Sequence, residues 1–188
     1  MAGIVTIKGS TLLYTLKWLK KNHGDQTVEK ILAELPEETR KQVQGAMVGA
    51  MFPVPDLCLF LEAIRKVIAP NDPEINYRIG HASFNDAFSI VYKVFLKFGS
   101  PEFVLEKATL LWKNFSASGT LSCPELAPGR AVLRMVDFPY HHPEFCQQRL
   151  RGGFQAVIEL CGVKIKESRH PTCCLRGDPY CEWLYNWK

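Results

Sequence analysis

The stretch Arg130–Asp137 (RAVLRMVD), with its late counterpart Glu182–Trp187 (EWLYNW), decides the fold. Both have the β-branched or alternating character of short strands, whereas the chain before residue 115 is written mostly in helical periods. Thr120–Ser122 and Val163–Ser168 read as two further strands. Between them, His142–Leu160 reads as a helix interrupted by Gly152-Gly153.

Upstream, residues 3–8 (GIVTIK) form a short strand, and Gly9-Ser10 offers a turn and a helix cap. Leu12, Leu16 and Leu19 then share one helical face, ending near His23-Gly24. Val28 to Leu35 marks a second helix and Glu37–Met51 a third. Phe52-Pro53-Val54-Pro55 breaks the chain, residues 56–68 resume as helix, and Ala69–Pro73 breaks it again. Residues 74–97 carry Phe84, Phe88, Val91 and Phe95 at helical spacing. Ser100-Pro101-Glu102 opens a helix running to about Asn114. The order implies an α+β domain spanning 1–188, its N-terminal helical block packed on a largely antiparallel C-terminal sheet.

With 188 residues, 47% hydrophobic and 22% charged, the chain has ordinary globular composition. Its net charge of +4 comes without a dense basic stripe, which argues against nucleic acid as a partner. KWLKK at Lys17–Lys21 reads as a solvated helix edge. No signal peptide and no membrane span are visible, so the expected location is cytoplasmic. Thiols there stay reduced, and clustered cysteines are more often ligands or reactive groups than disulfides.

Five of the seven cysteines fall in the last fifty residues. Cys173 and Cys181 flank a Gly177-Asp178 turn that can bring their sulfurs together. His170 and Cys146 can complete a tetrahedral zinc set, with Cys174 as a substitute for Cys173. Buried, inert thiols explain the same residues equally well from spacing alone, and redox or acyl-thioester chemistry is the remaining alternative. Cys58, Cys123 and Cys161 read as structural, and Asp178 and Arg176 as turn residues. Of the vicinal histidines, His141-His142, a loop is expected, with His142 a reserve ligand.

The tail Glu159-Leu160-Cys161-Gly162, His170-x-x-Cys173 and Arg176-Gly177-Asp178-x-x-Cys181-Glu182 resembles the end of 4-vinyl reductase domains. Those are similar in fold to TRAPP vesicle-transport subunits and, more distantly, to haem-nitric-oxide-binding domains. Ile7-Lys8-Gly9-Ser10, Gly99-Ser100-Pro101-Glu102, Leu111-Trp112 and Trp187 extend the likeness to a myxobacterial domain family of unknown function. The resemblance implies the NO-signalling/Golgi-transport type of ligand-binding fold and a sensing module rather than an enzyme, often dimeric. It also implies zinc on Cys146, Cys173 and Cys181, with His170 where the relatives carry glutamate.

Haem is not expected. His81 is a lone histidine beside an apolar face, and no Tyr-x-Ser-x-Arg run is present. No nucleophile elbow, P-loop or dinucleotide fingerprint occurs. Gly152-Gly153 fits either an anion site or close packing. Phe84, Phe88, Tyr92, Phe95 and Trp112 are the candidate lining of an apolar pocket. The expected function is therefore binding or sensing of a small apolar or aromatic molecule, or an acyl chain, with a homodimer or signalling partner. A TRAPP-like scaffold without a diffusible ligand is the alternative.

Overall fold

The computed structural model describes residues 4–87 and 99–188. Strand β1 (Thr6–Lys8) pairs antiparallel with β2 (Met51–Pro53), setting Ile7 opposite Phe52. Both side chains are buried. This small ribbon closes a loop of three helices, α1 (Ser10–His23), α2 (Asp25–Ala33) and α3 (Glu37–Gln44). The expected helix to Met51 stops at Gln44. Gly45 caps it, and the chain must extend to reach β1. Gly9 makes that closure possible, because a Cβ there would lie 2.4 Å from the Met47 carbonyl oxygen.

Helix α4 (Val54–Ile68) starts with Pro55 in its first turn, where the missing N–H has no partner to lose. Leu57, Phe60, Leu61 and Ile64 are its fully buried face. Helix α5 (Ile75–Ala87) follows, then two short helices, α6 (Pro101–Leu105) and α7 (Ala108–Lys113). Ser100 caps α6 as expected, its side chain accepting from the Phe103 N–H.

The second layer is a four-stranded antiparallel sheet in the order β3 (Thr120–Ala127), β4 (Arg130–Val136), β6 (Cys181–Trp187), β5 (Ile165–Thr172). Ala131, Leu133 and Met135 face the core opposite Tyr185, Trp183 and Cys181. The other face sets the apolar pair Val132 and Leu184 among ion pairs, Arg134 with Glu182 and Arg130 with Glu125. Pro124 sits on the edge strand, where the ladder register shifts between Ser122 and Glu125 and no hydrogen bond is lost.

Between the layers runs one continuous helix, π-wound over Pro143–Leu150 and α-helical over Arg151–Glu159 (α8). Gly152-Gly153 does not interrupt it. These glycines, with Gly80, admit α5: a Cβ on Gly80 would meet the Arg149 carbonyl oxygen at 2.3 Å, and one on Gly153 the Phe84 ring at 2.7 Å. Phe154 then packs edge-on against Trp183 of the sheet, centroids 5.1 Å apart. The α+β arrangement of helical block and antiparallel sheet is thus present. Among the described residues no helix is long and apolar enough to cross a membrane.

Candidate functional site

Two places gather the sequence-predicted residues. The first is an apolar cavity of about 30 Å³ where α5, α6, α7, α8 and the sheet meet. Phe84, Leu105, Trp112, Phe115, Leu133 and Phe154 contribute to its wall. Phe84 stacks on Phe115 at 5.3 Å, and Trp112 meets Phe154 edge-on at 6.4 Å. The Trp112 indole N–H donates to the Ser118 carbonyl at 2.9 Å, so the ring's one polar atom is satisfied outside the wall. Phe84 and Trp112 line this space. Phe88, Tyr92 and Phe95 lie outside the described residues.

The second place is the pole of the sheet where β6 begins. Asp178 accepts from the Cys173 N–H at 2.7 Å, and Gly177 takes φ 88°, which bends the chain between the two cysteines. Cys173 and Cys181 sulfurs come to 4.0 Å. The ligand atoms of His170, Cys173 and Cys181 all lie within 4.8 Å of one another, as do those of His141, Cys174 and Cys181. Cys146 arrives from the π-helix, its sulfur 4.0 Å from His141 Nδ1, which is 3.9 Å from the Cys181 sulfur.

Of the two vicinal histidines expected to form a loop, His141 is the one that reaches the cysteines. His142, the reserve ligand, points elsewhere, to Glu62 at 3.2 Å and to the Glu144 N–H at 3.3 Å. No periodicity marks the fold-back of residues 137–142. The one local signal is Asp137, a non-glycine residue at φ 55°.

Electrostatics at this pole favour neutral groups. Burial, then Arg176, hold the His170 imidazole down to about 4. His170 stacks flat on Trp183 at 4.9 Å, with neither ring nitrogen hydrogen-bonded. Burial pushes the Cys173 thiol up, and Cys174 up to about 11. Cys181 is raised first by its hydrogen bond to Cys146 and then by burial. A cation would reverse this preference by supplying the charge that thiolates need.

His81 bonds to Glu159 at 2.6 Å, and Gln155 holds the other carboxylate oxygen at 2.8 Å. Tyr77 donates to Gln155. This chain of side chains ties α5 to α8 beside the glycine crossing.

No family model and no curated protein matches the sequence. Solved structures do. The chain is similar to an H-NOX protein from S. oneidensis in the Fe(II)NO ligation state, with TM-score 0.71 and 14% identity, covering 96% of this chain and 99% of that one. It is similar to the unliganded Fe(II) H-NOX protein from K. algicida, with TM-score 0.68, 13% identity and 96% of each chain covered. A structure solved to study haem redox potential under porphyrin distortion matches at TM-score 0.61 and 12% identity, covering 96% and 99%.

Two expectations are corrected by this. The likeness to 4-vinyl reductase, TRAPP and myxobacterial domains rests on the cysteine-rich tail and on a few short motifs such as Ile7–Ser10, Gly99–Glu102 and Leu111-Trp112. The match over nearly the whole backbone is instead to H-NOX proteins. The cofactor expectation, zinc with haem set aside, is overturned with it, because the proteins that share this fold are described by iron and haem. The backbone path is shared at 12–14% identity, a likeness that no short sequence run reveals.

Proposed function

We propose that this chain is a single small-molecule-sensing domain built on the H-NOX-like fold, with the cavity at Phe84 and Trp112 as its ligand site. The observation that carries the reading is that cavity: a wholly apolar space at the junction of both layers, where an occupant would touch α5, α7, α8 and the sheet together. A ligand favouring one packing of these elements shifts the population towards it and changes the outer surface offered to a signalling partner or a second copy.

Haem is the group that the fold brings first. Among the described residues, the fit to it is incomplete. The chain has five histidines, at 23, 81, 141, 142 and 170. None lines the cavity, and neither does any cationic side chain that would meet a propionate. The space of about 30 Å³ that the described residues bound, partly open to solvent, is smaller than a porphyrin needs. No step is therefore routed through haem.

One titration separates the ligands. Purified protein is mixed with haemin, reduced, and exposed to nitric oxide, while a parallel sample is pressurised with xenon and followed by NMR. A stoichiometric Soret band that shifts with nitric oxide assigns a haem gas sensor. Xenon shifts at the Phe84 and Trp112 signals without a Soret band assign a small apolar ligand. The absence of both responses overturns the sensing reading.

A second assignment rests on the thiol–imidazole pole. Cys146, His170, Cys173 and Cys181 are proposed as metal-ion ligands, on the strength of the two unpartnered His170 nitrogens beside paired sulfurs. Metal content of protein purified without an affinity tag, compared with Cys181→Ser, tests it. Metal-free protein that melts like the variant overturns it.

A further inference from the structure

We propose that the thiol–imidazole pole takes two thiophilic divalent metal ions, joined by a shared Cys181 thiolate, rather than one. The inference rests on the metal reading of Cys146, His170, Cys173 and Cys181, and it adds His141 and Cys174 to that set.

The donors form two groups of three, not one of five. His170, Cys173 and Cys181 lie within 4.8 Å of one another, and so do His141, Cys174 and Cys181. Only Cys181 belongs to both. Backbone direction explains the division. Cys173 is extended, at φ −152° and ψ 126°, so its side chain and that of Cys174 leave the chain in different directions. A single ion draws its ligands around one point, within about 4.6 Å of each other. Sulfurs that diverge and then meet Cys181 separately suit two ions.

Cys181 is placed to bridge. Its sulfur is 4.0 Å from that of Cys173 and 3.9 Å from His141 Nδ1, and it accepts from the Cys174 N–H at 3.5 Å. A backbone N–H supports the charge of a bridging thiolate. Cys146, 4.0 Å from His141 Nδ1 and hydrogen-bonded to Cys181, is the second bridge. Each ion then has one imidazole and three thiolates. The charge closes as well: four thiolates balance two divalent cations, and neutral imidazoles add none. A single ion on three thiolates would leave net negative charge at a largely buried pole, which is costly.

The test uses the intact chain, purified without an affinity tag, stripped of metal under reducing conditions and titrated with cadmium(II). Thiolate-to-metal absorbance should rise until two equivalents are bound. Cadmium-113 NMR should then show two resonances, each split by the other through the shared sulfur. Cys174→Ser and His141→Ala should each lower uptake to one equivalent, with the fold checked by circular dichroism. The wild-type spectrum is a readout that needs no variant to fold. One equivalent in the wild type, unchanged by Cys174→Ser, overturns the pair and leaves the single-ion reading standing. Two unsplit resonances overturn the shared thiolate. No uptake overturns both readings.

Discussion

Gly152 stands so close to Tyr77 that a Cβ built on it would lie 2.0 Å from the Tyr77 carbonyl oxygen. The two residues fix the crossing of α5 and α8, and their neighbours lock it. The Arg151 guanidinium covers the Tyr77 ring at 4.5 Å, and the Tyr185 hydroxyl donates to the Arg151 carbonyl at 2.7 Å. Helical block and sheet are thus registered through one contact.

Gly152→Ala and Gly80→Ala should each lower stability by at least about 1–3 kcal/mol, since the clash is with backbone that cannot rotate away. Gly49→Ala is the control, because nothing lies within 4 Å of a Cβ there. Urea midpoints of the three variants decide the matter.

Glu144→Ala removes an acceptor buried between Arg65 and Asn76. The expected cost is about 1–3 kcal/mol, towards the lower end because Arg65 can regain water. The Arg65 side chain is 42% exposed. A double-mutant cycle with Arg65→Ala isolates the pair.

Phe84→Ala enlarges the apolar cavity and should cost about 3–5 kcal/mol. It should also strengthen binding of xenon or a small aromatic probe. Leu57→Ala, a comparable loss in the helical block, should weaken the fold without any gain in probe binding. Calorimetry on both variants separates cavity from core.

Stability should fall as pH rises from 8 to 10. Burial raises the thiols of Cys58 to about 12 and of Cys123 and Cys161 to about 11, while the unfolded chain's thiols ionise near 9. A raised folded value means a contribution complete below 9 and lost as pH climbs towards 11–12. Arg149, lowered to about 10, acts in the opposite sense only above that pH. Denaturation midpoints of wild type and Cys58→Ala at pH 8 and 10 check the slope, which should be shallower in the variant.

The fold class was legible because each layer keeps its own period. Leu12, Leu16 and Leu19 write a helix locally, and Ala131, Leu133 and Met135 write a strand. The β1–β2 ribbon was not legible: Phe52-Pro53 looks like a break until Ile7 is seen opposite it. Gly152-Gly153 looked like an interruption for the same reason, since its purpose lies on another helix. At the cysteine pole, the Cys173–Cys181 turn could be read from Gly177-Asp178. The arrival of His141 depends on a loop whose path no local pattern encodes.

Strand β6, the last element of the sheet, lies in its interior, hydrogen-bonded to β4 on one side and β5 on the other. Until residues 181–187 are in place, β4 presents a bare edge and the apolar row of Ala131, Leu133 and Met135, while β5 has no neighbour. During synthesis, the half-made chain is therefore a template for pairing with other chains, the kind of exposed edge that invites aggregation. Slow elongation through the final turn would lengthen that hazard, and a chaperone that shields strand edges would shorten it.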